Sequence, residues 1–88
     1  MNRQLTMLIV DDMEVERISF AEIFKDEYQI LEASDGQAGL EMAKKYVPEI
    51  IISDVMMPVM DGMQLVARLK SELQTSHIPI ILLTAKSA

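Results

Sequence analysis

Residues 50–62 read Ile50-Ile51-Ile52-Ser53-Asp54-Val55-Met56-Met57-Pro58-Val59-Met60-Asp61-Gly62. The stretch opens on β-branched residues and turns polar at Ser53. A short apolar run closed by polar residues, Pro and Gly reads as a strand buried on both faces. Met7 to Val10 and Ile80 to Leu83 have the same texture. Tyr28 to Ala33 alternates only in part, which suits an edge strand.

Between these runs the period becomes helical. In Gly36 to Val47, the residues Gly39, Leu40, Ala43, Tyr46 and Val47 share one face. Gln37, Glu41, Lys44 and Lys45 share the other. Ser34 and Gln37 have capping-box spacing, and Pro48 closes the segment. In Gly62 to Leu73 the stripe is Gly62, Leu65, Val66, Leu69 and Leu73, with Asp61 and Gln64 as the N-terminal cap. Met13 to Asp26 predicts a third, less regular helix. Met13, Phe20, Ala21, Ile23 and Phe24 fall on one side with Glu16, while Val15 and Ile18 face away. The order β-α-β-α-β-α-β predicts an α/β domain with a parallel sheet, right-handed crossovers and helices on both faces. No domain boundary is visible.

The chemistry follows from what each strand ends on. In open α/β sheets, ligands bind beyond the carboxyl ends of the strands. The first strand ends in Asp11-Asp12, the third in Ser53-Asp54 and the fourth in Thr84-Ala85. If these strands are neighbours, carboxylates and a hydroxyl converge. Clustered carboxylates either take up protons or are neutralised by a cation. Hard oxygen ligands suit Mg²⁺. A carboxylate beside such a cation can act as a nucleophile toward phosphorus, giving an aspartyl phosphate. Thr84 offers a hydrogen bond to a phosphoryl oxygen. Two bland readings stand beside this one. A lone Asp after a strand is usually a cap or a solvated loop residue, and Asp11-Asp12 could simply cap the first helix.

Composition narrows the field. The chain has 88 residues, of which 50% are apolar and 25% charged, as expected of one small globular domain. It has no cysteine, so a disulfide scaffold, a thiol nucleophile and a thiolate metal site are excluded. This is compatible with a cytoplasmic setting. A net charge of −6 disfavours direct contact with nucleic acid or an anionic membrane. No apolar run nears the roughly 20 residues that span a bilayer, and Met1 to Thr6 is not a signal peptide.

Leu8-Ile9-Val10-Asp11-Asp12, the stretch 50–62 and Ile80-Ile81-Leu82-Leu83-Thr84-Ala85 together resemble the signature segments of response-regulator receiver domains, the phosphoacceptors of two-component phosphorelays. The resemblance runs through essentially the whole chain. It implies a flavodoxin-like, CheY-like three-layer sandwich with strand order 2-1-3-4-5. It implies that Asp54 accepts a phosphoryl group from a histidine kinase or its phosphotransfer domain, in a Mg²⁺-dependent reaction that switches an output. Asp12 then matches the direct metal ligand and Asp11 its partner acting through water. Met56 matches the position whose backbone carbonyl completes the metal site. Thr84 matches the switch hydroxyl, and Ala85 the small residue that leaves room for phosphate. Pro58 and Gly62 match positions that shape the loop. Such a module is not a general enzyme; it catalyses only its own phosphorylation and dephosphorylation.

Residues 1–88 carry four βα units of the family's usual five. The expected domain therefore lacks a final helix-strand-helix, together with the phosphate-binding lysine and switch aromatic of the fifth strand. Lys86 follows the fourth strand directly and does not replace that lysine. Two expectations follow: pairing of chains through an exposed fourth-strand edge, and impaired phosphoryl transfer. The alternative reading is a non-phosphorylated pseudo-receiver or dimerisation module. A haloacid-dehalogenase-like phosphatase would need an acid two residues past the nucleophile, where Met56 stands. The methionines read as core filling rather than a soft-metal site, and His77 as a loop residue.

Overall fold

The computed structural model describes residues 4–83. Four strands, β1 (Leu5–Val10), β2 (Tyr28–Ala33), β3 (Ile50–Asp54) and β4 (Ile80–Leu83), alternate with α1 (Glu14–Phe24), α2 (Gly36–Tyr46) and α3 (Gly62–Lys70). All pairings are parallel, in the order β2-β1-β3-β4. The expected α/β architecture is present, and β2 lies at an edge as its partial alternation predicts.

Period-two alternation divides the sheet into two faces. Leu8 and Val10 of β1 and Ile51 of β3 join Leu40 and Ala43 of α2, Leu65 and Leu69 of α3, and Ile78 in one buried cluster. Met7, Ile9 and Ile52 face the other way, where Phe20, Ala21 and Phe24 of α1 partly cover them. Phe24 meets Tyr28 edge-to-face, with ring centroids 6.3 Å apart. No residue of α1 is buried.

The helix ends depart from the expected pattern in particular places. Asp35, not Ser34, caps α2, its carboxylate accepting the Ala38 N–H at 2.8 Å. Helix α2 closes on Val47 in the left-handed region at φ 45°, one residue before Pro48. Tyr46 and Val47, expected on the inner face, are exposed. The Asp61–Gln64 capping box of α3 forms as expected. Helix α3 stops at Lys70 rather than reaching Leu73, which is 95% exposed. Hydroxyls account for the early stop. Ser71 Oγ donates to the Arg68 carbonyl at 2.7 Å, and the buried Thr75 Oγ1 donates to the Leu69 carbonyl at 2.7 Å. These carbonyls are thereby diverted from the next helical turn. Met13, the residue before α1, and Ile23 within it are exposed despite lying on the expected inner side.

Candidate functional site: an acidic cleft at the carboxyl ends of the strands

Asp11 follows β1 directly and Asp54 ends β3. By alternation, Asp11 continues the Met7–Ile9 side and Asp54 the Ile50–Ile52 side, so both acids belong to the α1 face. β1 and β3 are hydrogen-bonded neighbours, with Val10 opposite Ser53. One carboxylate oxygen from each of Asp11, Asp12 and Asp54 lies within 4.8 Å of the others. Asp11 is buried, Asp54 half-buried and Asp12 exposed, so the cluster opens outward.

The local chain explains the arrangement. The Asp11 N–H donates to the Ala33 carbonyl of β2 at 3.0 Å, which extends the sheet pattern past Val10. Asp11 Oδ1 accepts the Met13 N–H at 2.9 Å, forming an Asx turn into α1. Met13 is the N-cap residue and makes no side-chain cap. The capping alternative is therefore answered in part: one Asp11 oxygen supports the turn, and Asp12 caps nothing.

The loop after β3 is held by close backbone packing. The Gly62 N–H donates to the Val55 carbonyl at 2.8 Å. A Cβ on Gly62 would collide with the Asp54 carbonyl. The Gly36 N–H of α2 donates to the Met60 carbonyl at 3.1 Å, and a Cβ there would strike the same carbonyl. Both glycines are needed because backbone approaches backbone. Val59, by contrast, takes a left-handed conformation, φ 69°, with a β-branched side chain.

Burial raises the carboxyl pKa of Asp54, and repulsion from Asp11 and then Asp12 adds to the effect. Hydrogen bonds from the Val55 and Met56 backbone oppose it. Glu16 is also raised, chiefly by a hydrogen bond with Asp11 and by repulsion from the same carboxylate. These shifts describe excess negative charge gathered at one point. An all-oxygen donor set with that excess fits a hard divalent cation such as Mg²⁺. Asp11, Asp12 and Asp54 are the side chains that would hold it. The acids open into a cleft of about 1000 Å³, also lined by Met56, Glu16, Phe20 and Leu83.

Of the residues named from sequence, Asp11, Asp12, Asp54 and Met56 come together in this cleft. Thr84, Ala85 and Lys86 lie outside the described residues. Glu16 was visible only as an acid on an otherwise apolar helix side. Its signal is its place in the first turn of α1, just after the Asp11-Asp12 pair, where it lines the cleft. The methionines divide: Met60 is buried and Met57 and Met42 pack against the core, but Met56 and Met63 are exposed.

A parallel sheet with clustered carboxylates at its carboxyl end defines an α/β domain whose site lies at the strand ends. Within that class the chain belongs to the response regulator receiver domain family, whose model matches residues 7–88. It is 43% identical over 83 residues to a histidine kinase of Formosa agariphila, covering 94% of this chain and 6% of that protein. It is 42% identical over 80 residues to the response regulator PleD of Caulobacter vibrioides, covering 90% of this chain and 18% of that protein. The structure of the chemotaxis response regulator CheY4 of Vibrio cholerae superimposes with a TM-score of 0.90 at 33% identity, over 98% of this chain and 72% of that one. The chain thus spans a small part of these curated relatives and most of a solved CheY structure. The CheY-like fold and the receiver-domain reading both stand. Among the described residues, no helix is long and apolar enough to cross a membrane.

Proposed function

We propose that the chain is a phosphoacceptor module, with Asp54 as the acceptor and a histidine kinase or its phosphotransfer domain as the donor. The carrying observation is the acidic trio: Asp54 shares its site with Asp11 and Asp12 and is the acid at the end of the central strand β3. In the reaction an Asp54 carboxylate oxygen attacks phosphorus. The O–P bond forms as the donor's N–P bond breaks, and the imidazole leaves with the electron pair and gains a proton. Bound Mg²⁺ supplies positive charge to the phosphoryl oxygens. The Val55 and Met56 backbone favours the ionised form of the carboxylate. Asp11, Asp12 and Asp54 would hold the cation together with the Met56 carbonyl, and Thr84 and Ala85 would receive the phosphoryl group. The module acts on itself alone. Such a donor makes the cytoplasm the expected compartment.

Acetyl phosphate with Mg²⁺, followed by intact mass, tests this reading. One phosphoryl adduct is expected, lost in Asp54→Asn and in the presence of chelator. An adduct that survives Asp54→Asn would refute the assignment. Self-association through β4 is a second element of the proposal. Among the described residues β4 pairs only with β3, and Ile81 is 47% exposed. Light scattering should report a dimer that Ile81→Lys disperses; a wild-type monomer at high concentration would remove this element.

A further inference from the structure

Behind the acidic trio, Arg17 of α1 reaches back across the strand ends. Its Nη1 donates to the backbone carbonyl of Asp11 at 2.8 Å. Its Nε donates to Glu32 Oε1 of β2 at 2.9 Å. The Arg17 side chain is 16% exposed and that of Glu32 39% exposed. Ion pairs open to water contribute little to stability, so the Glu32 contact is better understood as aiming the guanidinium than as holding the fold. Arg17 is not among the residues lining the cleft, where no Lys or Arg appears among the described residues.

The Asp11 carbonyl belongs to the planar peptide that joins Asp11 to Asp12. The preceding peptide is fixed by the Asp11 N–H bond to Ala33, and the Asp11 side chain by the Met13 N–H. The Asp11–Asp12 peptide is the one left to set, and its orientation decides where the exposed Asp12 carboxylate points. Helix α1 packs on the sheet through the half-buried Phe20, Ala21 and Phe24, farther along the helix than this peptide.

We propose that Arg17 is a positioning residue for the acidic trio, fixing the Asp11–Asp12 peptide so that both carboxylates face one cation. The proposal rests on the phosphoacceptor reading above. Groups that orient ligands from behind typically change metal affinity by about 10–100-fold when removed.

The test is Mn²⁺ binding, read as loss of the free-ion paramagnetic resonance signal, with thermal midpoints measured in parallel. Arg17→Ala should weaken Mn²⁺ binding about tenfold. Arg17→Lys, which keeps a single-point donor to the carbonyl, should recover part of the loss. Glu32→Gln should weaken binding by about threefold or less, since it disturbs only the aim. Phe24→Leu, at the far end of α1, loosens the same helix and should leave affinity unchanged. Equal affinity in wild type and folded Arg17→Ala overturns the proposal. So does a loss in Phe24→Leu as large as that in Arg17→Ala, since Arg17 would then act through helix stability alone. Should Arg17→Ala not fold, Arg17→Lys and Glu32→Gln decide, and wild-type affinity in both overturns the proposal. A wild-type chain that takes up no cation removes the phosphoacceptor reading and this proposal together. Phosphorylation lost in Asp54→Asn while Arg17→Ala binds Mn²⁺ normally removes this proposal alone.

Discussion

The two faces of the sheet are built differently. On the α2–α3 side, residues from both helices, β1, β3 and Ile78 form one continuous buried cluster. On the α1 side, the buried apolar residues among those described are Met7, Ile9 and Ile52, and the helix above them keeps Val15, Ile18 and Ile23 largely exposed. The acidic trio stands at the end of the second, thinner face. Among the described residues, buried apolar packing is concentrated on the α2–α3 side, and the charged site stands at the end of the side where α1 packs more lightly. The two sides touch through the loop after β3, where Gly36 of α2 holds the Met60 carbonyl.

The largest expected effect tests that asymmetry directly. Leu65 is fully buried in the α2–α3 cluster, so Leu65→Ala should cost about 3 kcal/mol in urea titration. Ile18, 48% exposed on α1, should lose less than about 0.5 kcal/mol as Ile18→Ala. In a domain this small the first loss is a large share of the total stability. Comparable losses at the two positions would break the comparison.

Part of this was legible in the sequence: the apolar runs at Met7 and Ile50 marked two buried strands, and their polar ends marked Asp11, Asp12 and Asp54 as the candidate site. The order that makes β1 and β3 neighbours was not in the periodicity; it came from the resemblance. Apolar spacing also carried α3 too far. It registers Leu73 as one more inward position but not the hydroxyls of Ser71 and Thr75, which compete for the carbonyls of the last turn. Arg17 was invisible for a related reason. Its meaning depends on a carbonyl six residues back and a glutamate on β2, and only the folded strands bring these together.

A smaller effect is expected at the rim of the well-packed side. Val59 is 80% exposed, so its side chain gains little from packing, yet it is held at φ 69°. A left-handed conformation costs an L-residue about 1–2 kcal/mol. The Gly62 to Val55 and Gly36 to Met60 hydrogen bonds on either side hold the loop in place. Val59→Gly removes the steric cost but adds freedom to the unfolded chain. The net gain should be about 0.5–1 kcal/mol, seen as a thermal midpoint higher by roughly 2–8 °C. No gain would mean that the loop relaxes around Val59, and that the dense face does not enforce its own edge.

The smallest effect concerns the thin face and its charge. Asp54 has a raised pKa, so the folded state holds its proton more tightly than the unfolded chain does. That preference stabilises the fold below the ordinary carboxyl value of 3.8, and the benefit is lost as pH rises through the folded pKa. At neutral pH in chelator, the ionised carboxylate is therefore a burden, and Asp54→Asn should melt slightly higher than wild type. The gap should close as pH falls below the ordinary value, where the carboxyl is neutral in both states. Added Mg²⁺ should reverse the order, because cation binding stabilises the folded wild type and Asn offers it less charge. Hydrogen exchange should locate the chelator effect at Met13 and the first turn of α1, where the acids meet the helix. A gain spread instead through α2 and α3 would mean that the two faces share their strain, and the division between them would fail.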